Sequence, residues 1–187
     1  MTPFVLLDRD GVINRKLRNA YVMRWRDFVF LPGALDALRQ LREAGYATIV
    51  VSNQAGVGKG VMTSSRLDQI TRCFLSRVTA AGGLIHGVYY CPHRKEVQCN
   101  CRKPRPGLLL KAQHDHEFKF TETYMVGDSL SDLLAAQRVG CPSVVVSPNP
   151  SSFELDGHPP PEAVVPDLLS AVSFILQRGE NAAAARR

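Results

Sequence analysis

Five short runs of the chain are apolar almost throughout: FVLLD (4–8), ATIVVSN (47–53), GVYYCP (87–92), TYMVGD (123–128) and SVVVS (143–147). A strand with one wet face alternates polar and apolar residues, so unbroken apolar runs of this length fit parallel strands covered on both faces. Between them the pattern changes to helical spacing. GALDALRQLREAG (33–45) sets Leu35, Leu38 and Leu41 three apart and stops at a glycine. TSSRLDQITRCFLSRVTAAGG (63–83) opens on capping residues and puts Leu67, Ile70, Phe74 and Val78 on one stripe. GLLLKAQHDHEF (107–118) and SDLLAAQRVG (131–140) complete the alternation. The β-α order predicts an α/β fold: an open, mostly parallel, Rossmann-like sheet with helices on both faces and right-handed crossovers.

No long insertion separates the strands, so no separate cap domain is expected. PNPSSFELDGHPPP (148–161), with five prolines, reads as a surface loop, followed by a short AVV strand and a helix PDLLSAVSFILQ. One domain is expected over 1–178, with 179–187, GENAAAARR, as a flexible tail.

Composition adds little to that picture. The chain is 45% hydrophobic and 21% charged, which sets it apart from disordered sequences. No apolar run approaches the ~18 residues of a membrane span, and no membrane partner is expected. The opening MTPFVLLDRDG lacks a basic flank and reads as a buried strand, not an export signal; a cytoplasmic protein is expected. A net charge of +6 suits either nucleic acid or small phosphorylated substrates. RKLRNAYVMRWR (15–26) carries Arg15, Lys16, Arg18, Arg24 and Arg26 with no acidic residue. Only Tyr21 and Trp25 are available there for base stacking, so a nucleic-acid-binding module is the disfavoured reading.

The chemistry collects at predicted strand ends. LLDRDGVIN brings Asp8 and Asp10, which point the same way on an extended chain, to the carboxyl end of the first strand. MVGDSLSD brings Asp128 and Asp132 to the end of the fourth. Carboxylates gathered at one edge repel unless a cation holds them, and hard oxygen ligands favour Mg²⁺. Ser52 and Asn53 in VSNQAG are small donors suited to a phosphoryl oxygen, and Lys103 in CRKPRPG brings a positive charge. Such a set suits phosphoryl transfer, whose catalysis is mostly positioning and charge neutralisation. NQAGVGKG is not a nucleotide P-loop: Asn53 stands where the first glycine belongs, and Gly60 follows Lys59.

CPHRKEVQCNC places Cys91, His93, Cys99 and Cys101 together, four donors of the kind that close a structural Zn²⁺ site. The Cys-x-His and Cys-x-Cys spacings are tighter than those of a duplex-reading finger, and a reducing compartment disfavours disulfides. Arg102 and Lys103 follow Cys101 directly, so a zinc clip here would order the start of the lysine's loop. Cys73 and Cys141 read as packing residues.

The order Asp-x-Asp-Gly, Ser-Asn, Lys-Pro, Gly-Asp-x-x-x-Asp over residues 4–147 resembles the haloacid dehalogenase superfamily of phosphatases. The resemblance implies that Asp8 is a nucleophile forming an aspartyl-phosphate, that Asp10 is the general acid and base, and that Ser52 and Lys103 hold the phosphoryl group. It also implies Mg²⁺ bound by Asp8, the backbone carbonyl of Asp10 and Asp128, with Asp132 supporting the loop. The zinc loop joined to CRKPRPG, with DRDGVIN and YYCPH, resembles the D-glycero-D-manno-heptose-1,7-bisphosphate 7-phosphatases; histidinol-phosphate phosphatases share that loop and are the alternative. The implied partner is a small phosphorylated sugar, handled by a monomer. Arg9, Asn53, Gln54 and Arg102 are the candidate substrate contacts. The stretch 15–20 is longer and more basic than in some relatives, and Ser129 stands where some carry lysine. Arg102 is the first candidate for the distal phosphate, ahead of Arg18 and Lys16.

Overall fold

A computed structural model describes residues 2–18 and 20–184. Its sheet has six strands, all parallel: β1 (Phe4–Leu7), β2 (Ala47–Asn53), β3 (Gly87–Cys91), β4 (Thr123–Gly127), β5 (Ser143–Val146) and β6 (Ala163–Val165). The spatial order is β3-β2-β1-β4-β5-β6. Five helices connect and cover them: α1 (Ala34–Glu43), α2 (Ser64–Ala80), α3 (Gly107–His116), α4 (Leu130–Gln137) and α5 (Leu168–Ala184). The expected fold is borne out, with the AVV run as the sixth strand. Helix α5 runs on to Ala184, six residues into the stretch read as a flexible tail. Residues 185–187 lie outside the described residues.

The strands are uniformly apolar because both faces are buried. Val5 and Leu7 of β1, Val50 of β2 and Val126 of β4 pack on one side with α1, α2 and α5. Leu6, Ile49, Val51 and Met125, the intervening residues, pack on the other with α3 and α4. Alternate side chains thus feed two apolar layers. The stripe on α2 is as expected: Leu67, Ile70, Phe74 and Val78 are its buried residues, and Thr63 caps it by accepting a hydrogen bond from the Arg66 amide at 3.1 Å.

This topology decides where chemistry can sit. The chain runs outward from β1 to β3, returns to β4 beside β1, and then runs outward the other way. A crevice opens at the carboxyl ends of β1 and β4, where the direction switches. Among the described residues, no helix is long and apolar enough to cross a membrane.

Candidate active site

β1 ends at Leu7, and the chain turns soon after Asp8. The amides of Ile13 and Asn14 both donate to the Arg9 carbonyl, at 2.9 and 3.1 Å, and the Gly11 amide donates to the Asn14 carbonyl at 2.7 Å. The expectation of an extended chain carrying Asp8 and Asp10 gives way to this turn, yet both residues line one cavity of about 280 Å³. Ser52, Asn53, Lys103, Asp128 and Asp132 line it too. Gly11 has φ +96°, and a Cβ there would overlap the Asp128 carboxylate. Gly11→Ala is therefore expected to cost about 1–3 kcal/mol in strain and to displace Asp128, read as a lowered melting temperature.

Lys103 is the centre of charge. It is 3% exposed, and its ammonium meets the Asp8 Oδ1 at 3.0 Å, the Asp132 Oδ1 at 2.5 Å and the Val51 carbonyl at 2.6 Å. Burial pulls its pKa down, but Asp132 and Asp8 outweigh burial and hold it above the ordinary lysine range. Burial pushes Asp8 up, and Lys103 with Ser52 outweighs that to leave Asp8 below the usual carboxylate value. Asn53 fastens the lysine's backbone from both sides: its Nδ2 donates to the Lys103 carbonyl and its Oδ1 accepts from the Lys103 amide, each at 3.1 Å.

Asp132 has a second task. Its Oδ2 accepts from the Ser129 hydroxyl at 2.6 Å and from the amides of Ser129 and Asp128 at 3.1 and 3.2 Å, a capping box that starts α4. This cap sets the backbone from which Asp128 projects. Carboxylate oxygens of Asp8, Asp128 and Asp132 lie within 4.8 Å of one another. Asp128 Oδ1 is buried with no hydrogen-bond partner, and burial with the neighbouring Asp8 charge pushes Asp128 up to about 6. A buried, orphaned oxygen among three carboxylates is what a hard divalent cation would satisfy.

Asp10 is held by three donors. Arg9 Nη2 reaches its two oxygens at 3.1 and 2.9 Å, Asn14 Nδ2 reaches Oδ1 at 2.7 Å, and Gln54 Nε2 reaches Oδ2 at 2.7 Å. Arg9 and Gln54, taken as substrate contacts, are 1% and 2% exposed and do not line the cavity. Arg9 lies between the rings of Phe28 and Tyr90, 5.7 and 5.6 Å from their centroids, and donates to Gln54 Oε1 at 3.0 Å. The turn after Asp8 sends the arginine inward, behind Asp10. Asn14 went unnoticed in the sequence; its signal is a single amide closing the apolar pair Val12-Ile13, and it is fully buried.

The four zinc-ligand candidates are together. Cys91 Sγ lies 3.6 Å from Cys99 Sγ and 3.3 Å from Cys101 Sγ, and Cys99 and Cys101 are 3.3 Å apart. His93 Nδ1 is 3.7 Å from Cys91 Sγ and 3.3 Å from Cys101 Sγ. A tetrahedral zinc with arms of about 2.0–2.3 Å has donor–donor edges of about 3.3–3.8 Å, so the donor set fits. Cys91 ends β3, its carbonyl accepts from the Gln54 amide at 2.7 Å, and Arg102 Nη1 donates to the His93 carbonyl at 3.3 Å. The cluster is tied to the β2 loop on one side and to the Lys103 loop on the other. Arg102, Lys103, Asn53 and Ser131 also border a second cavity of about 820 Å³, where Lys95, Arg105 and Arg138 add positive charge.

Comparison with known proteins agrees with this geometry. The family model described as HAD-hydrolase-like matches residues 100–171. The chain is 37% identical over 183 residues to the D-glycero-beta-D-manno-heptose-1,7-bisphosphate 7-phosphatase of Neisseria meningitidis serogroup A, covering 96% of each. It is 45% identical over 136 residues to the D-glycero-alpha-D-manno-heptose-1,7-bisphosphate 7-phosphatase of Mycobacterium bovis, covering 72% of each. Among solved structures, the D,D-heptose 1,7-bisphosphate phosphatase of B. bronchiseptica, complexed with magnesium and phosphate, superposes with a TM-score of 0.85 at 29% identity, covering 94% of this chain and 99% of that one. With its fold, its strand-end carboxylates and relatives matched along nearly its whole length, the chain belongs to the D-glycero-D-manno-heptose-1,7-bisphosphate 7-phosphatase family of haloacid-dehalogenase-like hydrolases.

Proposed function

We propose that this phosphatase removes the 7-phosphate of D-glycero-D-manno-heptose 1,7-bisphosphate through an aspartyl-phosphate on Asp8, as a step in making a nucleotide-activated heptose. The carrying observation is the cluster itself: Asp8 ion-paired with Lys103 beside the orphaned Asp128 Oδ1, in a chain whose full-length relatives bear that activity.

Asp8 is kept ionised by Lys103 and Ser52, which suits a nucleophile. Its carboxylate attacks phosphorus, and the bond to the sugar oxygen breaks. Asp10, fixed by Arg9, Asn14 and Gln54, gives the leaving oxygen its proton. Asp10 then takes a proton from the water that attacks the aspartyl-phosphate, releasing phosphate and restoring Asp8. Ser52 and Lys103 hold the transferred oxygens. Magnesium, held by Asp8, the Asp10 carbonyl and Asp128, would supply positive charge to the phosphoryl group. Arg102, on the border of the two cavities, is the contact for the distal phosphate. Arg9 and Gln54 act by positioning Asp10.

Zinc held by Cys91, His93, Cys99 and Cys101 would order the Lys103 loop, and four protein ligands would leave it no position for substrate. Elemental analysis should find one zinc per chain. Stripping it with a chelator should lower turnover with magnesium present, and restoring zinc should recover it; unchanged activity in zinc-free protein would remove the clip from the account.

The decisive test of function is phosphate release with Mg²⁺ from the α and β heptose 1,7-bisphosphates and from histidinol phosphate. We expect rapid loss of phosphate from a bisphosphate, with phosphorus NMR showing that position 7 is cleared and position 1 retained. Preference for histidinol phosphate would leave the chemistry standing and overturn the substrate.

A further inference from the structure

The ammonium of Lys103 donates to Asp8 Oδ1 and the Val51 carbonyl and stands 2.5 Å from Asp132 Oδ1 as an ion pair. It lends charge to the site, and it reaches a transferred oxygen only by loosening one of these contacts. Lys16 is in the opposite position. Its Nζ meets Asp128 Oδ2 at 2.6 Å while its side chain remains 56% exposed, so the rest of its ammonium faces the cavity mouth and solvent. It lines the same cavity as Asp8.

The loop after β1 delivers this lysine by design of its anchors. The Arg15 amide donates to the Val29 carbonyl at 2.8 Å and the Leu31 amide to the Ile13 carbonyl at 3.0 Å, pinning both ends. Tyr21, farther along, lies 5.6 Å from the Lys59 ammonium and packs on Gly56. The residue after Asp128 offers no cation there: Ser129 spends its hydroxyl on Asp132 and Ser131. Asp128 divides its oxygens accordingly. Oδ2 takes Lys16, and Oδ1 is left buried and unpartnered.

We propose that Lys16 is a phosphate-binding cation of this site, one that neutralises Asp128 in the empty protein and supplies its unengaged N–H groups to the phosphoryl group being transferred. This places Lys16 at the carboxylate cluster, not at the distal phosphate. The inference rests on the phosphatase reading above but not on the identity of the sugar. An ammonium against a carboxylate that also serves a divalent cation repels that cation, so Lys16 gives up metal affinity in exchange for affinity toward phosphate.

Two calorimetric titrations test it, neither needing turnover. In the first, Mg²⁺ alone is added to wild type, Lys16→Met, Lys16→Arg and Arg24→Gln, the last a control for the general charge of the loop. Lys16→Met should bind Mg²⁺ several-fold more tightly than wild type. In the second, inorganic phosphate is added to the Mg²⁺-loaded proteins. Lys16→Met should bind phosphate about tenfold more weakly, the size of a lost hydrogen bond to a charged group; Lys16→Arg and Arg24→Gln should stay near wild type. Melting curves establish that each variant is folded. Unchanged phosphate binding in folded Lys16→Met overturns the inference, and so does weaker Mg²⁺ binding, which would make Lys16 only a support for Asp128. Failure of wild type itself to bind phosphate with Mg²⁺ would count against the phosphatase mechanism instead.

Discussion

Asp8→Asn is expected to reduce phosphate release by about 10⁴-fold or more, as loss of a covalent nucleophile does in other enzymes. The fold should survive. An asparagine keeps the shape and an oxygen for Lys103, and it removes one of the three carboxylates whose oxygens crowd within 4.8 Å. The check is a steady-state assay beside a melting curve. Asp10→Asn should behave differently, because it removes a proton donor but leaves the nucleophile. Asp10→Asn should slow both steps yet still phosphorylate Asp8, trapped by acid quench after long incubation, while Asp8→Asn carries no protein-bound phosphate. Residual turnover of Asp8→Asn within tenfold of wild type would rule out the aspartyl-phosphate.

Lys103→Met is expected to have the largest effect on stability. Removing one partner of a buried ion pair leaves the other uncompensated, at a cost of about 3–5 kcal/mol. Here two carboxylates lose their cation, Asp8 at 3.0 Å and Asp132 at 2.5 Å. Urea unfolding of metal-free protein should show the loss, and Lys103→Met/Asp132→Asn should recover part of it, since the double variant no longer buries that unpaired charge. Activity should not recover in either. The pH dependence has a definite sign. Asp8 titrates below its ordinary value, so its share of the stabilisation is present above that value and fades as pH falls through the lower one. Lys103 titrates above its ordinary value, so its share is lost only as pH rises past the lysine range. The difference between wild type and Lys103→Met should therefore be nearly flat from about pH 5 to 9 and shrink in strong acid.

Much of the site was legible because its parts lie at strand ends. A buried parallel strand must be apolar on both faces, so FVLL and YMVG are recognisable and whatever polar residue follows them is exposed to the crevice. Asp8 and Asp128 could be placed at one edge from that alone, and the helical stripe of α2 could be read down to Phe74. The Cys/His cluster was legible for a local reason: four donors within eleven residues need only a loop to meet, and they meet at 3.3–3.7 Å. The surroundings of Arg9 were hidden for the converse reason. Its neighbours in the chain line the cavity, but the turn that Gly11 permits carries its side chain inward to Phe28 and Tyr90, which are 19 and 81 positions away in the sequence.

By itself, the sequence determined the alternation of strands and helices, the carboxylates at their ends and the Cys/His loop, because each of these is written in spacing over a few residues. Only the tertiary structure decided who neutralises whom. Lys103 is paired with Asp8 across 95 positions, Lys16 with Asp128 across 112 and Gln54 with Asp10 across 44. Those partnerships depend on the order of strands in the sheet and on where a fifteen-residue loop is pinned at its ends. A charge buried in low dielectric is governed by what lies within a few ångströms of it, and that distance is set by packing, not by position along the chain.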